Sequence, residues 1–183
     1  MMTTLADRLP ARRDGTVVRA LRVSDLGRFH AYRADETLAR FQGWKPMTVD
    51  EALAFLQTTS AVTGLIAGDW IQLGVAESGT DQLVGDLGLF LAHDGRWAEV
   101  GFTLNAQSQG QGHATRAVLM AVDLVLASSC AVEVRAVTDA RNHASIGVLH
   151  RAGFQFALQQ QAVFNGEACS ELVYVYRPEL LRR

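Results

Sequence analysis

The chain is predicted to be α/β of the α+β kind, built on a mixed, mostly antiparallel, twisted sheet of six to seven strands with helices on both faces. Three observations carry that expectation. A strand-period run ending at Leu104 breaks into glycines at Gly110 and Gly112 and restarts at Ala114 with a helical period. A second strand, helix and strand follow from Val134 to Phe154. Two further alternating runs, Trp70–Glu77 and Leu83–Leu91, flank a turn-rich Ser78-Gly79-Thr80-Asp81.

Taken in order, Val17 to Val23 reads as the first strand, and Ser24-Asp25 caps a helix that runs to about Tyr32. Thr48 and Glu51 have the spacing of a capping box and open a helix through about Thr59. After the strand pair, His93-Asp94-Gly95 turns the chain into Arg96–Leu104. There Trp97, Glu99, Gly101 and Thr103 face one way, and Ala98, Val100, Phe102 and Leu104 the other. The next helix carries Ala114, Ala117, Val118, Ala121, Val122 and Val125 on one stripe. Strand Val132–Thr138 and helix Asn142–Arg151 come next, with Gly153 placed to end the helix in the left-handed region. Strands Phe154–Phe164 and Ser170–Tyr176 close the sheet around Asn165-Gly166.

Composition narrows the function by exclusion. With 183 residues and 49% apolar content, residues 16–183 form one domain with a real core, after a flexible tail at 1–15 that holds Arg8, Arg12 and Arg13. A net charge of −2 gives no electrostatic source for nucleic-acid binding. The start lacks an apolar segment of signal length, and Asp123 interrupts the longest apolar run, Ala117 to Ala127, so no membrane association and a cytoplasmic location are expected. Cys130 and Cys169 lack C-x-x-C spacing and read as buried free thiols. His143 and His150 stand two turns apart, too far for the i, i+4 pair that grips zinc, and no metal is expected. His30 and His93 read as surface residues.

The glycine corner has its own chemistry. Residues without Cβ atoms let a backbone approach a ligand closely, and the first N–H groups of the following helix lack internal partners, so a phosphate is the natural guest. Gln109-Gly-Gln-Gly-His-Ala114 is no Walker A loop, because no Lys-Ser/Thr pair follows, and no G-x-G-x-x-G, because Thr115 holds the third glycine position. It does fit [RQ]-x-x-G-x-[GA], and so resembles the acyl-CoA pyrophosphate loop of the Gcn5-related N-acetyltransferases (GNATs). The downstream segment resembles that family's other signature: Asn142-His-Ala-Ser145 on a short helix, then Gly153-Phe154 opening a strand. Asn142, Ser145 and Leu149 share one helix face, although a helix cap at Asn142 and a merely small Ser145 would satisfy the same spacing.

The resemblance implies a GNAT-like sheet and acetyl-CoA as co-substrate, with an amine acceptor, either a peptide N-terminus or a small amine. Cofactor contacts would fall on Phe102, Thr103 and Leu104, on the loop Gln109, Gly110, Gln111, Gly112, His113, Ala114 and Thr115, and on Asn142 and Ser145. Glu99 matches the strand glutamate that some members use as general base through water, and is otherwise a carboxylate paired with arginine or facing solvent. Leu149 occupies the place where many members carry the Tyr that reprotonates the leaving sulfur. A thiol pKa near ~8.5 makes thiolate a tolerable leaving group without it. The gap nevertheless keeps open a second reading, a non-catalytic CoA-binding or regulatory module of the same fold. A nucleotide-binding domain that merely shares a glycine loop is a third.

Phe41-Gln-Gly-Trp-Lys-Pro46, followed by the capped helix from Thr48, resembles the ribosomal-protein (RimJ/RimL-type) branch, whose members acetylate α-amino groups. Trp44 serves equally as a loop anchor. By fold analogy the acceptor pocket lies between the 33–46 region and the 164–169 loop, and a homodimer is compatible with the same resemblance.

Overall fold

The computed structural model describes residues 4–164 and 166–178. Eight strands form one sheet: β1 (Ala11–Arg13), β2 (Thr16–Ala20), β3 (Trp70–Glu77), β4 (Leu83–Leu91), β5 (Trp97–Leu104), β6 (Glu133–Asp139), β7 (Gln155–Phe164) and β8 (Glu167–Tyr176). Their order is β1-β2-β3-β4-β5-β6-β8-β7, and every neighbouring pair is antiparallel except β5 and β6. The helices are α1 (Leu26–Arg33), α2 (Glu36–Ala39), α3 (Val49–Thr59), α4 (His113–Ser128) and α5 (His143–Arg151).

The sheet therefore has eight strands rather than six to seven. The added strand is β1, inside the segment expected to be a flexible tail. Asp14 (φ 44°) and Gly15 (φ 83°) supply the two positive φ angles of a tight hairpin turn, and Arg13 pairs with Thr16 across it. Leu5 is buried in the main core, and Arg8 donates to the carbonyl of Ala127. Residues 4–15 are thus packed against the domain. The Asp-Gly dipeptide was the available signal; three residues with two arginines gave no alternation to support it.

Two other expectations shift. The first strand ends at Ala20, because the Asp25 carboxylate accepts from the backbone N–H of Arg22 and both terminal nitrogens of Arg19, folding Val23–Asp25 into a 3-10 turn. Helix α2 was not anticipated; the Asp35 side chain accepts from the N–H groups of Thr37 and Leu38 to start it. Elsewhere the sequence logic holds closely. Thr48 and Glu51 cap α3 reciprocally, and β3 and β4 have the expected bounds. Gly153 sits at φ 84° just past α5. Asn165 lies outside the described residues, while Cys130 is exposed and only Cys169 is buried.

Helix α4 lays Ala117, Val118, Ala121, Val122 and Val125 on one face of the sheet, against Leu73, Leu87, Leu89, Ala98, Val100 and Val134. A second, smaller core (Leu21, Phe29, Tyr32, Ala52, Leu56, Leu83) joins α1 and α3 to the sheet. Burying these side chains is worth roughly 1.5–3 kcal/mol for each large aliphatic or aromatic group. Among the described residues no helix is long and apolar enough to cross a membrane.

Candidate active site

The one parallel pair makes the site. β5 and β6, joined through α4, are hydrogen-bonded only at Trp97–Glu133, Ala98–Val134 and Glu99–Arg135. Past Glu99 they part. β5 stays paired with β4 as far as Leu104, while β6 pairs with β8 as far as Asp139, so each strand turns one unpaired edge to a gap between their C-terminal halves. Such a divergence beyond the carboxyl ends of parallel strands is where α/β sheets bind ligands.

Backbone polar groups alternate sides along a strand, which fixes which residues of β5 face the gap. The carbonyl of Phe102 accepts from the Gln42 side chain (3.5 Å) and that of Leu104 from the Gln109 side chain (3.2 Å), whereas Asn105 donates to Val84 of β4. Val100, Phe102 and Leu104 therefore turn their N–H and C=O groups to the gap, and Thr103 turns its own to β4. Of the three strand positions expected to offer backbone to a ligand, Thr103 contributes its side chain instead.

At the mouth of the gap the glycine loop folds back on the strand. Gly110 (φ 74°) and Gly112 (φ 82°) both take left-handed angles, and Gly112 is the N-cap of α4. A Cβ at Gly110 would meet nothing within 4 Å, so the loop is open there. Arg116 donates to the carbonyl of Gln111 and to the hydroxyl of Thr16 (2.8 Å each), pinning the loop from behind. The first N–H groups of α4 are left directed at the cleft, with the positive end of a 16-residue helix dipole behind them.

Opposite stands α5. The Asn142 side-chain oxygen Oδ1 caps the helix by accepting from the N–H of Ser145 (3.2 Å), so the capping role is real. Asn142 and Ser145 also line the cleft. Its volume is about 770 Å³, and Phe102, Thr103, Leu104, Gln109, Gly110, Gln111, Gly112, Ala114, Thr115, Asn142 and Ser145 all border it. His113 does not. Its imidazole is buried and hydrogen-bonded to Thr16 (2.8 Å), and burial followed by the Arg116 charge pushes its pKa down.

Glu99 also lies outside the cleft, on the far face of the sheet. A narrow aperture of about 40 Å³ lies where the strands part, lined by Val100, Gly101 and Phe102 of β5, Ala136, Val137 and Thr138 of β6, Ser145 and Leu149 of α5 with its N-cap Asn142, and Phe41 and Gln42. Leu149 is buried at its wall. Among the described residues the Glu99 carboxylate accepts no side-chain hydrogen bond. Burial pushes its pKa up, the like charge of Glu171 adds to this, and Arg135 opposes it. Arg135 itself lies over Trp97 at 4.3 Å and donates to Glu133.

Phe41 and Gln42, expected only as part of the 33–46 region beside the acceptor, border both the cleft and the aperture. It also left Asp86 inside a strand without a role. That carboxylate accepts from Tyr32 (2.6 Å), Arg33 (2.8 and 2.9 Å) and Gln72 (2.8 Å), while Arg33 stacks on Trp44 at 4.6 Å. A buried Asp in β4 and an Arg ending α1 were the signals. Trp44 is thus a loop anchor, with its indole N–H buried and unpartnered. Among the described residues no group of three His, Cys, Asp or Glu side chains is placed to hold a metal.

Residues 16–155 match the acetyltransferase (GNAT) domain family. The uncharacterized N-acetyltransferase YoaA of Bacillus subtilis (strain 168) is 26% identical over 165 residues, covering 88% of this chain and 92% of that protein. Among solved structures, an acetyltransferase (GNAT family) from Bacillus anthracis superimposes with a TM-score of 0.81 at 16% identity, covering 92% of this chain and 98% of that one. Mycobacterium smegmatis RimJ in complex with CoA-disulfide gives 0.77 at 18% identity, covering 92% and 84%.

Proposed function

The chain belongs to the acetyltransferase (GNAT) family, and within it we propose an acetyl-CoA-dependent N-acetyltransferase whose acceptor is the α-amino group of a peptide or protein N-terminus. The described residues act as one acyl-CoA N-acyltransferase domain, with β1 and Leu5 part of it. The observation that carries this reading is the parting of β5 and β6 after Glu99, with the α4 N-terminus at one end of the gap and a half-buried carboxylate beside the other.

The residues present fit the co-substrate. The backbone N–H groups from Gly110 to Thr115 suit a pyrophosphate, and the free edge of Val100, Phe102 and Leu104 suits an amide-bearing arm running toward the aperture. Gln42 holds the Phe102 carbonyl by a bond at the distance limit and gives way to a better donor. Glu99, on the acceptor side, takes a proton from the ammonium through water, with its raised pKa making it a stronger base. The freed nitrogen attacks the thioester carbonyl, whose oxygen is met by a backbone N–H of the β5 edge. The C–S bond breaks, the nitrogen gives up its remaining extra proton to water as the amide forms, and the thiolate takes its proton from water, since Leu149 has none to give.

Support for an α-amine comes from the likeness to RimJ and from a magnitude. An α-amino pKa near ~7.8 leaves roughly a tenth of the amine neutral at pH 7, whereas a lysine near ~10.4 leaves well under a thousandth, a gap of about 3.5 kcal/mol. The test is mass spectrometry of peptides after incubation with acetyl-CoA. Acetyl groups on the N-terminal nitrogen are expected, and modification solely at internal lysines refutes the reading. Gly112→Val must abolish the thermal shift given by acetyl-CoA, because φ 82° strains any side chain there. A folded variant that still binds tightly would show that the loop is not the phosphate site.

A further inference from the structure

On the far face of the sheet, beside the aperture, lies a shallow space that the proposed reaction has not used. Gly101 of β5 and Gly88 of β4 are directly paired, so two adjacent strands carry no side chain at the same level. A Cβ built on Gly101 would meet nothing within 4 Å, while one on Gly88 would meet the Trp70 ring and the Gln72 amide oxygen at 3.1 Å. The indole of Trp70 therefore leans over Gly88 and walls an opening whose floor is Gly101. The next level of the sheet pairs Trp70 with Phe90 and Phe90 with Glu99. The rings of Trp70 and Phe90 are 5.5 Å apart, those of Phe90 and Trp97 5.8 Å, and Trp70 is 49% exposed. An aromatic strip, exposed at Trp70 and half-buried at Phe90 and Trp97, thus leads away from Glu99.

The charge beside this strip is negative and partly uncompensated. Glu99 pairs across with Arg135, Arg135 with Val175 and Asp139 with Glu171, which puts Glu171 on the same face as Glu99. Glu171 is met by Gln160, and Arg135 is held by Glu133. An amine at Glu99 would find two carboxylates, and the carbon beside that amine would stand over Gly101 with the aromatic strip against it.

We infer that the space over Gly101, walled by Trp70 and Phe90, is an acceptor subsite selecting a peptide whose first residue carries a large apolar or aromatic side chain. The inference rests on the α-amine reading above. Small first residues leave the opening unfilled, and acidic ones meet Glu99 and Glu171. Apolar pockets discriminate by roughly 10–200-fold when a contact is lost, which sets the scale of selectivity.

The test is a set of hexapeptides identical except for a first residue of Phe, Leu, Ala, Ser or Asp, with kcat/KM measured by thiol release and the acetylated nitrogen located by mass spectrometry. Phe and Leu are expected to exceed Ala and Ser by roughly tenfold or more, with Asp the poorest. Equal rates across the set, with acetylation at the α-nitrogen, overturn the subsite and leave the α-amine reading standing. Acetylation only of internal lysines or small free amines refutes the α-amine reading, and the subsite with it. Gly101→Val fills the opening at a position with room for a side chain and is expected to bring the Phe-to-Ala ratio near one, its melting temperature reporting that it folds. Trp70→Ala removes the wall and must lower the same ratio. A ratio unchanged in both variants overturns the proposal.

Discussion

Asp86 and Glu99 sit on the same face of neighbouring strands, one opposite Thr103 and the other opposite Phe90, yet they live in different worlds. Asp86 is 1% exposed and receives hydrogen bonds from a phenol, a guanidinium and an amide. Glu99 is half-buried, meets no donor side chain among the described residues, and has the like charge of Glu171 nearby. A buried carboxylate with full satisfaction ties elements together; one without it is held at a cost and poised to take a proton. The Asp86 cluster pins the end of α1 and, through Arg33 and Trp44, the loop that borders the gap. Glu99 stands on the same face of the sheet as Asp86, at the point where β5 and β6 part. The two acids stand four residue pairs apart on the β4–β5 ladder, one tying elements together and the other the base we propose.

The largest effect is expected from breaking the satisfied acid. Asp86→Ala leaves the Arg33 charge buried without a partner, which costs about 3–5 kcal/mol and should lower the melting temperature by about 6–20 °C. Any loss of activity should follow the loss of folded protein. Calorimetry beside the activity of the surviving fraction checks this, and an unchanged melting temperature would show that the cluster is not what holds α1.

Glu99→Gln should do the opposite. We expect kcat at neutral pH to fall by roughly 10²–10⁴-fold with acetyl-CoA binding intact, and the deficit to shrink as pH rises above the amine pKa. A folded-state pKa raised above its unfolded value means the carboxyl stabilises the fold when protonated, and that contribution is lost as pH rises through the folded pKa. The Gln variant should therefore melt no lower than wild type at neutral pH, and its relative advantage should disappear in acid. A constant catalytic deficit across pH would make Glu99 structural, as Asp86 is.

A smaller effect sharpens the contrast. Removing the Glu171 charge by Glu171→Gln should lower the pKa of Glu99, so the acid limb of kcat/KM moves to lower pH. Arg135→Gln should move it up. Both shifts should fade with added salt, because part of the interaction crosses solvent. A limb that ignores both substitutions would belong to another group.

Much of this division is legible in the residues themselves. The capping box at Thr48 and Glu51, the change of period at the glycines and the stripe on α4 are local signals, and local signals survive tertiary context. The glycine loop is readable for the same reason, since positive φ angles at Gly110 and Gly112 are written in the residue type. What cannot be read depends on register and long-range contact. That Thr103 turns its backbone to β4, that His113 turns inward to Thr16, and that Gly101 stands beside Gly88 all require knowing which strands pair and where they part. β1 escapes because three residues are too few to show a period, although its Asp-Gly turn is in view.

The smallest expected effect concerns the wall of the aperture. Leu149 is 1% exposed and shares the opening with Asn142, Ser145 and Gly101, so a proton donor there would lie near a departing sulfur. Leu149→Tyr supplies the hydroxyl, but into a core position that already belongs to the main cluster around α4. Overpacking of this kind costs about 1–3 kcal/mol, or about 2–12 °C in melting temperature. The gain is limited by chemistry: a thiol with a pKa near ~8.5 leaves readily and takes its proton from water afterwards, so acid catalysis has little barrier to remove. If deprotonation at Glu99 governs the rate instead, the new hydroxyl has nothing to accelerate. We therefore expect kcat to rise less than tenfold or to fall, measured against pH for both proteins with one good acceptor. A larger rise at neutral pH would move the limiting step from the acid at Glu99 to the sulfur.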